Sequence, residues 1–193
     1  MKIVIFGGSG FVGQGLVKRL SQEDLVIISR QSPQQANWLQ SDLAKDTIWQ
    51  ESVQGADWVI DCIGILLPDK RRGQTYESAS LEPAHRIIQF LATIPLAERP
   101  KFLFVSAKKV PWFLRGYWEA KLRVEAEMAQ QIPETSLAVF PPLLYDGSRP
   151  STMLQAAFLK ILPAYRPLSR RAFCQEIFLI LHGEKSYLTL RDY

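Results

Sequence analysis

The sequence predicts an α/β fold in which helices cover both faces of a doubly wound parallel sheet. Two observations lead to this prediction: apolar strand patterns alternate with helical patterns along most of the chain, and a glycine-rich turn joins the first strand to the first helix. Such alternation is typical of parallel sheets with right-handed crossovers. The 193 residues are expected to form one domain, 1–193, in which about 146–193 contribute a small C-terminal substrate lobe.

Each element follows from a local pattern of apolar residues. Strands are predicted at 1–6, 25–29, within 38–43, and at 56–64, 101–106 and 137–140. Helices are predicted from about residue 12 to 20 and over 47–53, 81–91 and 117–131. The tail is expected to form helices over 152–162 and 170–181 and a last short strand over 187–190.

Composition and charge narrow the function classes. Apolar residues make up 47% of the chain and charged residues 22%, with a net charge of +4. The short basic runs are scattered, whereas a nucleic-acid site needs them clustered, so no nucleic-acid partner is expected. Two cysteines without a secretory signal indicate reduced thiols and a cytoplasmic location. No cysteine and histidine spacing suggests a metal site, and no apolar run is long enough to predict a membrane span.

The glycine turn has the spacing of a dinucleotide-binding loop. In the run Gly7-Gly8-Ser9-Gly10-Phe11-Val12-Gly13, the first glycine permits a tight turn and Gly10 lets phosphate approach the backbone. Gly13 allows the helix to pack closely on the strand. The order of strand, turn and helix places a pyrophosphate at a helix N-terminus. A plain glycine-rich turn without a ligand is the alternative.

A tyrosine and a lysine four residues apart suggest proton transfer. Tyr117 and Lys121 share one helix face. An ammonium near a phenol favours the phenolate and so lowers the pKa of the tyrosine, which can then exchange a proton with a carbonyl or alcohol. Lys121 can also hold ribose hydroxyls. Ser106, at the end of the fifth predicted strand, is placed to polarise the same carbonyl.

Other roles remain open for these residues. Tyr117 is alternatively a core or interface aromatic, Lys121 a solvated lysine, and Ser106 a strand-end cap. Asp42 is alternatively the cap of a loop. Three aromatic residues near the pair either wall a substrate pocket or form a packing cluster or dimer surface: Trp112, Phe113 and Trp118.

Taken together, these motifs resemble the short-chain dehydrogenase/reductase superfamily, in its extended or atypical branch of NAD-dependent epimerase/dehydratase-like proteins. The resemblance covers about residues 1–150 and implies a Rossmann-type, NAD(P)-binding fold. It rests on the glycine turn, Asp42-Leu43, Gly55–Asp61, Val105-Ser106-Ala107, Tyr117 with Lys121, and the proline-containing turn Phe140–Asp146.

The resemblance also implies roles for single residues. Asp42 and Leu43 are expected to contact adenine, and Cys62, Ile63 and Gly64 to line the cofactor. The run Pro141-Pro142-Leu143 is expected to flank the nicotinamide. The full predicted cofactor set is Gly7, Ser9, Gly10, Phe11, Val12, Gly13, Arg30, Asp42, Leu43, Cys62, Ile63, Gly64, Lys121, Pro141, Pro142 and Leu143. Two positions depart from the family pattern: Phe140 stands where arginine is usual and Asp146 where the turn usually closes with glycine.

The expected function is an NAD(P)-dependent oxidoreductase or epimerase/dehydratase-like enzyme that transfers hydride to or from a small carbonyl or alcohol substrate. Tyr117, Lys121 and Ser106 form its catalytic set. Because only about 45 residues follow the last proline turn, a small or hydrophobic substrate is favoured over a nucleotide sugar. The alternative is a non-catalytic NAD(P)H-binding protein with a redox-sensing or assembly role.

Cofactor choice and association are predicted from two further features. The second strand ends in Ser29-Arg30 without an acidic residue, which favours NADP(H) because a guanidinium matches a phosphate; NAD(H) remains possible. A homodimer through helix 117–131 is expected from an outer apolar stripe of Trp118, Leu122, Ala126 and Ala129.

Overall fold

A six-stranded parallel sheet forms the centre of the protein. The structure, a computed structural model, describes residues 1–31, 35–69, 71, 73–108, 110–147 and 167–190. Its strands are β1 (Lys2–Phe6), β2 (Asp24–Ser29), β3 (Trp38–Gln40), β4 (Trp58–Asp61), β5 (Lys101–Val105) and β6 (Ser136–Val139). They lie in the order β3-β2-β1-β4-β5-β6, and every neighbouring pair is parallel. The predicted doubly wound sheet is confirmed.

Helices cover both faces of this sheet. They are α1 (Phe11–Arg19), α2 (Trp49–Val53), α3 (Glu82–Thr93), α4 (Arg115–Gln131) and α5 (Arg170–Leu181). A π-helical turn, Glu77–Leu81, leads into α3, and 3₁₀ turns lie at Trp112–Leu114 and Tyr187–Thr189. Helices α1 and α5 contact each other, while α3 contacts α4.

The sheet has a hydrophobic core on each face, and the alternation of side chains along β1 shows how these two cores arise. Ile3 and Ile5 pack with residues of α1 and α5 on one face, whereas Val4 and Phe6 pack with residues of α2, α3 and α4 on the other. Successive side chains of a strand point to opposite faces, so a strand that is covered on both sides is apolar throughout. The continuous apolar run of β1 in the sequence has this cause.

The order of the strands fixes where a ligand cleft can form. From β1 the chain proceeds outward to β2 and β3, and then returns to the other side of β1 to form β4. The connections that leave the carboxyl ends of β1 and β4 therefore diverge. Crevices at this kind of switch point are the usual ligand sites of open α/β sheets.

The C-terminal region differs from the prediction in two respects. The prediction of a strand over 187–190 is wrong, because these residues form a 3₁₀ turn. The Ser186 side chain caps the turn by accepting a hydrogen bond from the Leu188 amide, and the Leu188 carbonyl oxygen accepts one from the amide of Phe140. A small parallel pair, β7 (Leu144–Tyr145) and β8 (Leu168–Ser169), was not predicted.

The helix predicted over 170–181 is present as α5, and the one predicted over 152–162 lies outside the described residues. Buried residues of α5 belong to the core that β1 shares with α1. Across the described ranges, none of the helices combines the length and the apolar character needed to cross a membrane.

Candidate functional site

The turn after β1 is a tight backbone cradle. Gly7 has φ of +79°, a conformation that favours glycine, and its carbonyl oxygen accepts a hydrogen bond of 2.9 Å from the amide of Gly10. A Cβ at Gly13 would lie 2.3 Å from that oxygen, so α1 can approach the turn only with glycine there. No side chain caps the N-terminus of α1, and its first turn holds no acidic residue.

A cleft opens in front of this turn, at the carboxyl ends of the four strands β1 to β4. Segments from four places in the sequence and the start of α3 form its walls. The lining residues are Gly7, Ser9, Gly10, Ile28, Ser29, Arg30, Asp42, Leu43, Ala44, Cys62, Ile63, Gly64, Ser78, Ala79, Glu82 and Pro83.

The cleft contains many of the predicted cofactor residues and some that the prediction missed. It brings together Gly7, Ser9, Gly10, Arg30, Asp42, Leu43, Cys62, Ile63 and Gly64. Phe11, Val12 and Gly13 lie in the first turn of α1, while Pro141, Pro142 and Leu143 follow β6; none of these is among the lining residues. Sequence analysis missed the wall from the π-helical turn and α3, for which the sequence holds no ligand-binding pattern.

Asp42 lines the cleft and also shapes its own loop. One carboxylate oxygen accepts a hydrogen bond from the amide of Ala44, and the other lies 3.4 Å from the Nζ atom of Lys45. The backbone amide of Asp42 in turn donates to Asp46. The loop-capping role left open by the sequence is therefore present, and it keeps Asp42 at the edge of the cleft.

Arg30 provides a positive charge at the end of β2. Its side chain is exposed and lines the cleft, and it has no ion pair with any described residue. The neighbouring hydroxyl of Ser29 donates to the carbonyl oxygen of Gln31. The guanidinium is thus available to an anionic ligand, while the serine hydrogen is already engaged.

Behind the cleft lies a group of buried polar side chains. Asp61, Ser80, Ser106 and Lys121 are each 4% exposed or less. The Nζ atom of Lys121 donates to the carbonyl oxygen of Val105 at 2.7 Å. A Cβ built on Gly64 would lie 3.4 Å from that nitrogen and 3.5 Å from the Ser80 hydroxyl, so these two groups lie against Gly64, which lines the cleft.

Tyr117 lies one helical turn before Lys121 on α4 and is half-buried. The ammonium of Lys121 is 5.7 Å from the centre of the Tyr117 ring. Burial, with a smaller effect from Tyr76, raises the pKa of Tyr117 to about 12. The prediction that Lys121 lowers this pKa is wrong in this structure, because the ammonium bonds to Val105 and burial dominates the environment of the phenol.

Ser106 follows β5, as predicted, but its hydroxyl points to α4. It donates a hydrogen bond of 2.5 Å to a carboxylate oxygen of Glu125, and the side chain is 1% exposed. Ser106 is not one of the residues that line the cleft. In this arrangement its hydroxyl hydrogen is committed to Glu125 rather than directed towards a substrate oxygen.

The aromatic residues near α4 differ in exposure. Trp112 and Phe113 contact each other edge to face and are 88% and 62% exposed, while Trp118 is half-buried. The first two therefore do not wall an enclosed pocket in this structure. Tyr76, which the sequence did not single out, lies against the start of α4: a Cβ at Gly116 would be 2.9 Å from its ring.

The fold and the cleft define a dinucleotide-binding protein of the Rossmann type. A helix N-terminus without a side-chain cap faces a glycine turn, and a Cβ at Gly10 would lie 3.1 Å from the carbonyl oxygen of Gly7. The backbone amides at the start of a helix and its positive end suit the pyrophosphate of NAD(P). The residues present therefore fit this cofactor.

Comparison with known proteins shows the family directly. The sequence model of the NAD dependent epimerase/dehydratase family matches residues 3–111, more than half of the chain. The protein belongs to this family, and the resemblance to the extended branch of the short-chain dehydrogenase/reductase superfamily is confirmed.

A curated relative is the uncharacterized chloroplastic protein At1g32220 of Arabidopsis thaliana. It is 23% identical over 157 residues, which make up 75% of this chain and 51% of the relative. The chain thus spans about half the length of that protein.

Solved structures share the fold at low sequence identity. MoeE5 in complex with UDP-glucuronic acid and NAD has a TM-score of 0.74 and 12% identity, covering 97% of this chain and 74% of its own. UDP-glucuronic acid 4-epimerase from Bacillus cereus in complex with NAD has a TM-score of 0.71 and 15% identity, covering 97% and 76%. A hypothetical dTDP-4-dehydrorhamnose reductase from Sulfolobus tokodaii has a TM-score of 0.70 and 17% identity, covering 96% and 74%.

Proposed function

We propose that this protein is an NAD(P)-dependent enzyme of the epimerase/dehydratase type that moves hydride to or from a small carbonyl or alcohol substrate. The observation that carries the proposal is the placement of Tyr117 and Lys121. They lie one turn apart on α4, and the Lys121 ammonium lies directly behind Gly64 at the cleft. The family membership and the related structures described with NAD support the same class of cofactor.

Cofactor binding is assigned to the cradle and to the four strand ends. The turn of Gly7 and Gly10 gives the pyrophosphate room to approach, and the backbone amides at the N-terminus of α1 hold it. Asp42 and Leu43, which line the cleft, are assigned to the adenine end, and Ile63 and Gly64 to the floor towards the nicotinamide. The predicted contacts of Pro141, Pro142 and Leu143 with the nicotinamide belong to this proposal.

The proton chemistry is assigned to Tyr117. When bound, the nicotinamide supplies or accepts the hydride. A phenol is protonated at physiological pH, so the Oη–H of Tyr117 is present to protonate a carbonyl oxygen in the reductive direction, although a pKa raised to about 12 makes it a weaker acid than an ordinary tyrosine. Lys121 holds the ribose hydroxyls and keeps a positive charge beside the phenol.

Ser106 completes the proposed catalytic set from the end of β5. Its hydroxyl donates to Glu125, so it orients a substrate oxygen only when that hydrogen bond is exchanged for one to the substrate. Ser106→Ala tests this role: if the hydroxyl orients the substrate, KM rises or kcat falls, and if it serves only Glu125, stability changes while kinetics do not.

We propose NADP(H) as the preferred cofactor. Arg30 is exposed at the cleft and is not ion-paired with any residue that the structure describes, and β2 ends without the acidic residue that would repel a 2′-phosphate. A guanidinium binds a phosphate through two parallel hydrogen bonds.

The outer side of α4 is proposed to form a homodimer interface. Ala126 and Ala129 are exposed and Trp118 and Leu122 are half-buried, which leaves the predicted apolar stripe accessible along the helix. An apolar helix stripe of this kind suits a twofold contact with a second copy.

A second candidate function is a non-catalytic NAD(P)H-binding role in regulation or assembly. Two observations favour it: the pKa of Tyr117 is raised rather than lowered, and the Ser106 hydroxyl is engaged by Glu125. A turnover assay separates the two candidates. Nicotinamide absorbance is followed with small aldehydes, ketones, alcohols and nucleotide sugars; a substrate whose turnover is lost in Tyr117→Phe supports the enzyme, whereas tight binding without turnover of any of them supports the binding protein.

A further inference from the structure

Strand β4 ends in a carboxylate that is fully enclosed by protein. Asp61 follows three buried apolar residues and is itself 0% exposed. Its Oδ1 atom accepts a hydrogen bond of 2.8 Å from the amide of Ile63, and its Oδ2 atom has no hydrogen-bond partner among the described residues. A buried carboxylate oxygen without a donor is costly, so its presence calls for a charge nearby.

Lys121 supplies that charge. Its Nζ atom bonds to the carbonyl of Val105 and lies 4.4 Å from the centre of the Phe104 ring. Phe104 is paired in register with Asp61 on the neighbouring strand. The ammonium and the carboxylate therefore lie near each other, without a direct ion pair, at the carboxyl ends of β4 and β5 behind the floor of the cleft.

The ionisation of each group depends on the other. Burial raises the pKa of Asp61 to about 6, and the charge of Lys121 opposes that rise. Burial lowers the pKa of Lys121, and the carboxylate of Asp61 is the largest of the effects that oppose it. The other titratable groups that face the lysine are Cys62, Glu125 and Tyr117.

Asp61 is the main counter-charge among these groups. The pKa of the Cys62 thiol is raised well above its ordinary value by burial, so the thiol is uncharged, and Tyr117 is a neutral phenol. The carboxylate of Glu125 already accepts the hydrogen bond of Ser106. Asp61 differs from Glu125 in being fully buried with an oxygen that no described group satisfies.

We propose that Asp61 is the positioning residue of Lys121: its buried carboxylate is the counter-ion that keeps the ammonium charged and directed at the floor of the cofactor cleft. The inference rests on the proposed function only where it assigns Lys121 to the ribose hydroxyls. A purely structural role does not need the charge, because an amide oxygen would accept the hydrogen bond of Ile63 equally well.

Asp61→Asn tests the proposal because it keeps that acceptor and removes the charge. Protein labelled with ¹³C at the lysine Cε is titrated by NMR, and the Lys121 resonance is identified by its loss in Lys121→Met. Asp61→Asn is expected to lower the titration midpoint of Lys121. Asp57→Asn, an exposed carboxylate just before β4, is the matched control and leaves it unchanged. An unchanged midpoint in Asp61→Asn overturns the proposal.

Cofactor affinity gives a second readout. By calorimetry with NADPH and NADH, Asp61→Asn is expected to bind about tenfold more weakly at a pH above the Lys121 midpoint that the NMR titration gives for this variant, and as wild type at a pH below it. Equal losses at both values contradict a counter-ion role. If Lys121→Met leaves the affinity unchanged at both, the proposed function of Lys121 is wrong, while the NMR titration still decides the role of Asp61.

Unfolding in denaturant closes the test with a double-mutant cycle. Lys121→Met leaves the carboxylate of Asp61 buried without a counter-ion, so adding Asp61→Asn to this variant is expected to restore stability. The gain in the Lys121→Met background should exceed the change that Asp61→Asn causes in wild type. Equal effects in the two backgrounds overturn the proposal. So does an Asp61→Asn variant that fails to fold in both backgrounds, because the carboxylate then serves the fold itself.

Discussion

The ammonium of Lys121 donates a hydrogen bond to the carbonyl oxygen of Val105, and this 2.7 Å contact ties α4 to the carboxyl end of β5. Tyr117 lies one turn earlier on the same helix. The position of the phenol is therefore fixed relative to the sheet rather than to a loop. Because the cleft is also built on strand ends, the proposed catalytic pair and the cofactor cleft share one rigid support.

Replacement of Tyr117 by phenylalanine is expected to lower kcat by about 10²-fold, the range of general acid–base groups, with cofactor affinity nearly unchanged. Only the hydroxyl is removed, so the packing of the ring is retained. Steady-state kinetics on an identified substrate measure the effect. Tyr187→Phe, at a half-exposed tyrosine on the C-terminal 3₁₀ turn, is the control. Wild-type activity in Tyr117→Phe excludes Tyr117 as the acid.

The high pKa of Tyr117 has a spectroscopic consequence. Because burial raises it to about 12, the phenol stays protonated over the neutral and mildly alkaline range. In a titration of tyrosinate absorbance from about pH 7 to about pH 10, wild type and Tyr117→Phe are expected to give the same curve. A tyrosinate step below about pH 10 that disappears in the variant would show instead that Lys121 lowers this pKa.

Asp61 makes stability depend on pH. Its pKa is raised from an ordinary value of 3.8 to about 6, so the folded protein binds this proton more tightly than the unfolded chain. The resulting stability is fully present below about pH 4 and is lost as the pH rises through about 6, a change of roughly 3 kcal/mol. Denaturant unfolding at about pH 5 and about pH 8 should show roughly half of this loss in wild type, because the other half has already occurred by about pH 5, and none of it in Asp61→Asn. Identical pH dependence of stability in the two proteins would refute this role of Asp61.

Arg30→Ala tests the choice of cofactor. The wild type is expected to bind NADPH more tightly than NADH, and the substitution to weaken NADPH by about tenfold while leaving NADH nearly unchanged, because only NADPH carries the 2′-phosphate. Arg171→Ala, at an exposed arginine of α5, is the matched control. Tighter NADH binding by the wild type contradicts the assignment.

The outer stripe of α4 makes association testable. Light scattering at high micromolar concentration is expected to report a dimer for wild type and a monomer for Ala126→Arg, which places a charge in the centre of the stripe. Gln131→Arg, at the end of the same helix and away from the stripe, should leave the dimer intact. A monomeric wild type rules out this interface.

Much of the fold could be predicted because its signals are local. Each central strand is covered on both faces, and this makes it an apolar run that ends at a turn, as in Lys2–Phe6. The glycine turn could be recognised because close approach of backbone to backbone, as at Gly13 and Gly7, tolerates no other residue.

The rest depended on tertiary contacts that no local pattern reveals. The stretch Tyr187–Leu190 has the composition of a strand, but the side chain of Ser186 caps a turn there. The spacing of Tyr117 and Lys121 correctly predicted that they share one helix face. It could not predict that the Lys121 ammonium donates a hydrogen bond to the carbonyl oxygen of Val105, on another element. The acidic residue at the end of β4 was visible in the sequence, but its full burial was not.

The most direct test of the account is a calorimetric titration of NADPH and NADH into wild type, Gly10→Val and Gly147→Val. A side chain at Gly10 would lie 3.1 Å from the Gly7 carbonyl and enter the space proposed for the pyrophosphate, whereas one at Gly147 would have no atom of the described residues within 4 Å. We expect saturable binding of at least one dinucleotide by wild type and Gly147→Val, and its loss in a folded Gly10→Val. Binding of neither dinucleotide by wild type, or undiminished affinity in Gly10→Val, would contradict the claim that this cleft holds NAD(P).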